Sequence, residues 1–94
     1  MTEEVFQPHP SNVLDLHNFR FEEAVPLVDE FIWSCLKHGF THASIIHGKG
    51  TGALRNLVHQ KLNSNPIVSS FELDGTNWGK THFVLLQNAA FNMQ

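Results

Sequence analysis

Apolar residues along this chain follow two different periods, and each change of period marks an element boundary. In NVLDLH, residues 12–17, Leu14 and Leu16 alternate with Val13, Asp15 and His17, which predicts a strand. From Phe21 the spacing becomes three and four. Phe21, Ala24, Val25, Val28, Phe31, Ile32, Cys35 and Leu36 draw one stripe on an amphipathic helix, and Gly39 stops it. Glu22 and Glu23 in the first turn and Lys37 in the last suit the helix dipole. Pro26 lies beyond the first turn, where the missing donor predicts a bent helix or a delayed start.

HASIIHG predicts a buried second strand that runs into a glycine loop, and Leu54, Leu57, Val58 and Leu62 predict a shorter helix ended by NSNP. IVSSFELD and THFVLLQ predict two more strands around the turn DGTNWGK. The order is β-α-β-α-β-β, an α/β fold. Phe21, Phe31, Phe71 and Phe83 fall on predicted inward faces and are assigned to the core. Cys35 joins them as a small buried hydrophobe, because no base is placed near it.

A strand-helix-strand succession in one sheet makes a right-handed parallel crossover, so the first two strands should be parallel neighbours. Their carboxyl ends then place His17 and His47 at one edge of the domain, where open α/β sheets bind ligands.

With 94 residues the chain has material for one core. Residues 1–11, with two prolines, two glutamates and no period, read as a flexible lead-in to a domain at 12–88, and 89–94 as a tail. A content of 41% hydrophobic and 16% charged residues is that of a folded protein. The single cysteine cannot form an internal disulfide and no export signal is apparent, so a cytoplasmic location is expected. No window approaches the roughly 20 apolar residues of a membrane span. A net charge of −3 argues against polyanion binding through a bulk positive field, so any such binding must be local.

The loop in IIHGKGTGALR, residues 45–55, has that local character. Gly48, Gly50 and Gly52 let backbone amides approach a ligand, Thr51 lies among them, and the next helix begins with unpaired N–H groups. Lys49 and Arg55 add cationic donors suited to phosphate. A tight turn also favours glycine. The loop lacks the Walker ending and the dinucleotide spacing, so ATP and NAD are not expected.

Asp15 and His17 leave the same face of their strand, which suits a carboxylate-oriented imidazole in general acid or base work; a strand-end ion pair is the alternative. His47 on the neighbouring strand end would supply a second imidazole. The other histidines do not gather: Gly39 separates His38 from His42, His59 lies off its helix's apolar stripe, His9 is in the lead-in and His82 beside the last loop. No zinc cage is expected. Asp15 together with a bound phosphate is compatible with magnesium or manganese, and no cofactor is otherwise indicated.

VLDLH at 13–17, IIHGKGTGALR at 45–55 and WGKTHFVLL at 78–86 resemble, in order and spacing, the three signature blocks of the small MutS-related (Smr) domain family. The resemblance spans residues 13–87. It implies a two-layer α/β sandwich with a four-stranded mixed sheet, similar to the C-terminal domain of translation initiation factor three, and an association with DNA or RNA nicking. It also implies an active surface at Asp15, His17, His47, Gly48, Lys49 and Gly50. Asn18 stands where the family has glycine, and Thr76 and Asn77 precede Trp78 where paired glycines are common.

The expected function is an endonuclease that seats a backbone phosphate on Gly48, Gly50, Thr51, Gly52 and Arg55. Lys49 would stabilise charge, and His17 and His47 would share the roles of base and acid, in an order the sequence leaves open, with Asp15 orienting His17. RNA would supply its own 2′-hydroxyl; DNA would need water and a metal ion. Trp78 is either a stacking surface for a base or a lid over the core, and Lys80 either a phosphate contact or a solvated lysine. The alternative function is a non-catalytic adaptor holding DNA, RNA or a ribosome through the same surface. The sequence leaves the choice of nucleic acid and the oligomeric state open.

Overall fold

The computed structural model describes residues 11–86, so His9 with most of the lead-in, and the whole tail, lie outside the described residues. Its elements are β1 (Val13–Asp15), α1 (Phe21–Lys37), β2 (His42–Ile46), α2 (Ala53–Ser64), β3 (Val68–Leu73) and β4 (Lys80–Leu85). They form one four-stranded sheet in the order β1-β2-β4-β3. As the crossover argument requires, β1 and β2 are parallel, with Asp15 level with Ile46. β4 runs antiparallel to both of its neighbours.

One face of the sheet carries the core. Ala43 and Ile45 from β2 and Phe83 and Leu85 from β4 pack against Ala24, Val28, Ile32 and Cys35 of α1 and Leu57, Val58 and Leu62 of α2. Phe83 meets Phe31 edge to face, with ring centroids 6.1 Å apart. Burial pushes the Cys35 thiol up to about 11, as fits an inert core residue. Among the described residues the opposite face carries no helix, and it is mostly polar, with Asp15, His42, Ser44, His82 and Glu72 alternating against the core residues of their strands.

At the start of α1, the Glu23 carboxylate accepts the Arg20 N–H at 2.8 Å. Gly39 ends the helix at φ +79°, with Phe40 N–H bonded to Cys35 O and Gly39 N–H to Leu36 O, the two bonds of a Schellman turn. Pro26 does not delay the helix, which begins at Phe21. It lies on the exposed side, where the Glu22 carbonyl it leaves without a donor can turn to water. At the outer edge of β1, the Ser11 hydroxyl accepts from Val13 N–H and donates to Val13 O.

Candidate functional site

The sheet edge formed by the ends of β1 and β2 brings together the segments singled out in the sequence. Leu16 N–H donates to Ile46 O at 2.8 Å, so the chain leaves both strands side by side, towards His17 on one and His47 on the other.

Asp15 and His17 form an exposed dyad. Asp15 Oδ1 accepts from His17 Nδ1 at 2.6 Å and from His17 N–H at 3.0 Å. These bonds, the backbone one foremost, hold the Asp15 carboxyl below its ordinary value. A carboxylate only accepts, so Nδ1 carries a proton, and Nε2 points away from its partner. With about half of each side chain exposed, that nitrogen is open to a ligand.

His47 is placed differently from the expectation, and register is the reason. Asp15 pairs with Ile46, so His47 lies one residue further on and shares the parity of Ala43 and Ile45, towards the helices. It is 3% exposed. Its Nδ1 bonds to Gly48 O at 3.0 Å and its Nε2 to Thr81 Oγ1 at 2.8 Å. Burial chiefly, and the nearby Arg55 charge, lower its pKa despite the Gly48 bond. The structure thus places His47 in the wall of the loop's cavity with both ring nitrogens engaged, and His17 alone of the two rings faces solvent.

His59 also departs from expectation, since it gathers with His47. Its Nε2 lies 2.8 Å from the same Thr81 hydroxyl, and burial, with His47 and Arg55 adding to it, lowers its pKa. The direction of these bonds follows from their partners. Gly48 O can only accept, so the neutral His47 holds its proton on Nδ1 and accepts from the Thr81 O–H at Nε2. The Thr81 oxygen then accepts from His59 Nε2–H. This buried chain fixes the first carbonyl of the glycine loop. Its sequence signal was Thr81, a hydroxyl sharing the inward parity of Phe83 and Leu85 and hence in need of a partner.

The loop itself is open, with Lys49, Gly50 and Thr51 exposed. Gly48 and Gly52 take φ of +84° and +92°, a region that favours glycine. His47 N–H and Gly48 N–H both donate to Gly79 O, at 2.8 and 2.9 Å. Gly79 presses so close that a Cβ there would meet the Gly48 backbone at 3.2 Å, which explains a glycine in the third block. Ala53 N–H uses Thr51 Oγ1. The amides of Lys49, Gly50, Thr51, Gly52, Leu54 and Arg55 have no acceptor among the described residues. The Arg55 guanidinium folds back over Gly52, where a Cβ would lie 2.9 Å from Nη2. Phe21, His47, the loop, Leu54 and Arg55 line a cavity of about 110 Å³.

Phe21 is thus a site residue that the periodicity concealed: expected in the core, it is 47% exposed. Trp78 is 66% exposed, which removes the reading of a lid over the core. Lys80 pairs with Ile46, itself paired with Asp15, so it lies on the same sheet face as the dyad. The Thr76 and Asn77 departures build a braced turn. Asp74 Oδ1 accepts from Thr76 N–H, Thr76 Oγ1 and Asn77 N–H, while Asn77 Oδ1 accepts from Gly79 N–H at 2.9 Å.

His82, expected beside the last loop, sits at the centre of the open face instead. Its Nε2 donates to Asp74 Oδ2 at 2.6 Å and its Nδ1 accepts from Ser44 Oγ at 2.7 Å. Bonds from His82 and Thr76 hold the Asp74 carboxyl well below the usual carboxylate range. The order serine, imidazole, carboxylate is that of an activated nucleophile, but the Ser44 N–H is tied to Asn12 O within the ladder, so it is not free to hold an oxyanion. We read it as a brace between the sheet and the 74–79 turn.

Among the described residues no group of three or more histidines, cysteines or carboxylates converges to hold a metal ion. Asp15 keeps Oδ2 free of hydrogen bonds among those residues, so a hard ion there would draw most of its ligands from phosphate and water.

The Smr domain family matches residues 14–87. This chain belongs to the Smr domain family. It is 44% identical over 71 residues to Endonuclease MutS2 of Lactiplantibacillus plantarum, a match covering 76% of this chain and 9% of that protein. Endonuclease MutS2 of Geobacillus thermodenitrificans is 39% identical over 79 residues, covering 84% and 10%. The chain therefore corresponds to about a tenth of the length of these relatives. The crystal structure of the Smr domain of Thermus thermophilus MutS2 superposes with a TM-score of 0.75 at 30% identity, covering 79% of this chain and 96% of that one. YdaL, a stand-alone small MutS-related protein from Escherichia coli, superposes with a TM-score of 0.77 at 25% identity, covering 84% and 66%. The Smr assignment and the four-stranded mixed α/β fold expected from the sequence both hold.

Proposed function

We propose that this Smr domain binds the sugar-phosphate backbone of DNA or RNA and cleaves a phosphodiester bond. The observation that carries the reading is the exposed Asp15–His17 dyad at the same sheet edge as a glycine loop whose amides are free to bind oxygen. One phosphate oxygen would sit on the amides of Gly50, Thr51 and Gly52 at the start of α2, with Lys49 and Arg55 neutralising charge. Lys80 on the dyad's face would hold a neighbouring phosphate.

His17 is the proton carrier in this scheme, and Asp15 fixes its tautomer. On RNA, Nε2 takes the proton of the 2′-hydroxyl, the oxygen attacks phosphorus, and the 5′-oxygen leaves, taking a proton from water. The products are a 2′,3′-cyclic phosphate and a free 5′-hydroxyl. DNA has no such hydroxyl, and its cleavage would use water; Asp15 would be the residue to hold a magnesium or manganese ion, which would supply a more acidic water and neutralise charge. The relatives named Endonuclease MutS2 support a nuclease assignment.

The burial of His47 favours one second reading. It leaves a single imidazole facing the ligand, as suits an adaptor that holds nucleic acid or a ribosome without cutting. Cleavage of labelled single-stranded RNA and supercoiled DNA by wild type and His17→Ala, with binding followed in parallel, separates the two. Nuclease activity predicts cutting that His17→Ala abolishes while binding survives. Binding without cutting at every pH and metal ion tried establishes the adaptor. In either case Lys49→Ala should weaken binding and flatten its salt dependence, the slope falling by about one for each phosphate no longer neutralised.

A further inference from the structure

Aromatic side chains are unevenly distributed over the described surface. Large exposed hydrophobic residues include four aromatics, and three of them, Phe19, Phe21 and Trp78, lie on the segments beside the glycine loop; Trp33 stands apart on α1. Phe19 and Phe21 follow His17, and Phe21 lines the cavity shared with Gly50, Gly52, Leu54 and Arg55. Trp78 precedes Gly79, whose carbonyl is bonded to the loop amides of His47 and Gly48. The same edge holds Lys49, Arg55 and Lys80, half of the six cations of an acidic chain.

A ligand that used both features would be anionic and would offer flat, unpaired π faces. A backbone phosphate alone has no use for the aromatics, and a duplex hides its base faces in its own stack. We infer that the site takes single-stranded nucleic acid, with an unpaired base stacked on Phe21 in the cavity beside the phosphate and a second base on Trp78. This inference rests on the nucleic-acid reading above and narrows its substrate. The lining suits the role: Phe21 and Leu54 are apolar, and the loop amides and Arg55 are polar groups that could take the phosphate of the same nucleotide.

The test is equilibrium binding of a fluorescein-labelled oligonucleotide, single-stranded and as its duplex, at fixed salt. Wild type is expected to bind the single strand at least tenfold more tightly. Phe21→Leu, which keeps an apolar group against Leu54 but removes the ring, should lose about 5- to 100-fold on the single strand and little on the duplex. An oligonucleotide with one abasic position should reproduce that loss in wild type and add nothing to it in Phe21→Leu. Equal wild-type affinity for both forms, or an unchanged affinity of folded Phe21→Leu for the single strand, overturns the inference and leaves the nucleic-acid reading standing. Failure of wild type to bind either form removes both.

Discussion

The two histidine assemblies at the sheet edge are built from the same ring and arrive at opposite behaviour. His17 lies in solvent against a carboxylate, with one nitrogen anchored and the other open. His47 lies in the covered layer against a hydroxyl and a carbonyl, with neither nitrogen open and its neutral form favoured. Partner and burial, more than residue type, decide whether an imidazole moves protons or holds a loop. One step of strand parity produced this division.

The sharpest way to break the comparison is to replace each ring. His17→Gln should lower cleavage by about 10²–10⁴-fold while affinity is retained. His47→Gln should act on loop placement and stability, visible as weaker binding and easier unfolding by urea. An equal collapse of cleavage in His47→Gln, at wild-type stability and affinity, would return His47 to the role of proton carrier.

A smaller effect is expected at Thr81, the hydroxyl between the buried rings. Thr81→Val leaves two imidazole nitrogens without their partner and should reduce stability by about 1–3 kcal/mol, and Thr81→Ser should restore most of it. Urea denaturation of the three proteins measures this. Alkylation of Cys35, silent while its thiol is buried, reports whether the core has opened. If Thr81→Val is as stable as wild type, the chain through Thr81 contributes nothing to the loop.

The mildest test is acid. The fold lowers the pKa of His47 and His59, so below about pH 6.5 the unfolded chain takes up protons that the native protein refuses. Stability is complete above that pH and declines as pH falls towards the native values. The lowered Asp74 and Asp15 carboxyls act lower on the scale: their contribution is present above about pH 4 and is lost as acid protonates them in the native protein. Two stages of acid destabilisation are expected in urea midpoints, and His59→Phe should shrink only the upper one.

Much of this arrangement was legible in the sequence, because alternation and helical stepping are local properties that burial on one side imposes. The parallel crossover and the shared strand ends followed from them. The direction of His47 did not, since parity beyond a strand end depends on pairing with another strand. His59 was obscured because its partner comes from β4, more than twenty residues away. Phe21 misled for a related reason: it continues the helical stripe, but at the first turn that stripe has run past what the sheet covers and faces the glycine loop.

The clasp of Ser11 on Val13 has a consequence for the molecule's company. Outermost strands tend to recruit foreign strands through unused backbone donors and acceptors, the route to runaway polymerisation. Here one hydroxyl already occupies both groups of the residue that an incoming chain would zip onto first. An invading strand would have to displace both of these bonds before it could pair with Val13, which raises the cost of starting a ladder on this flank.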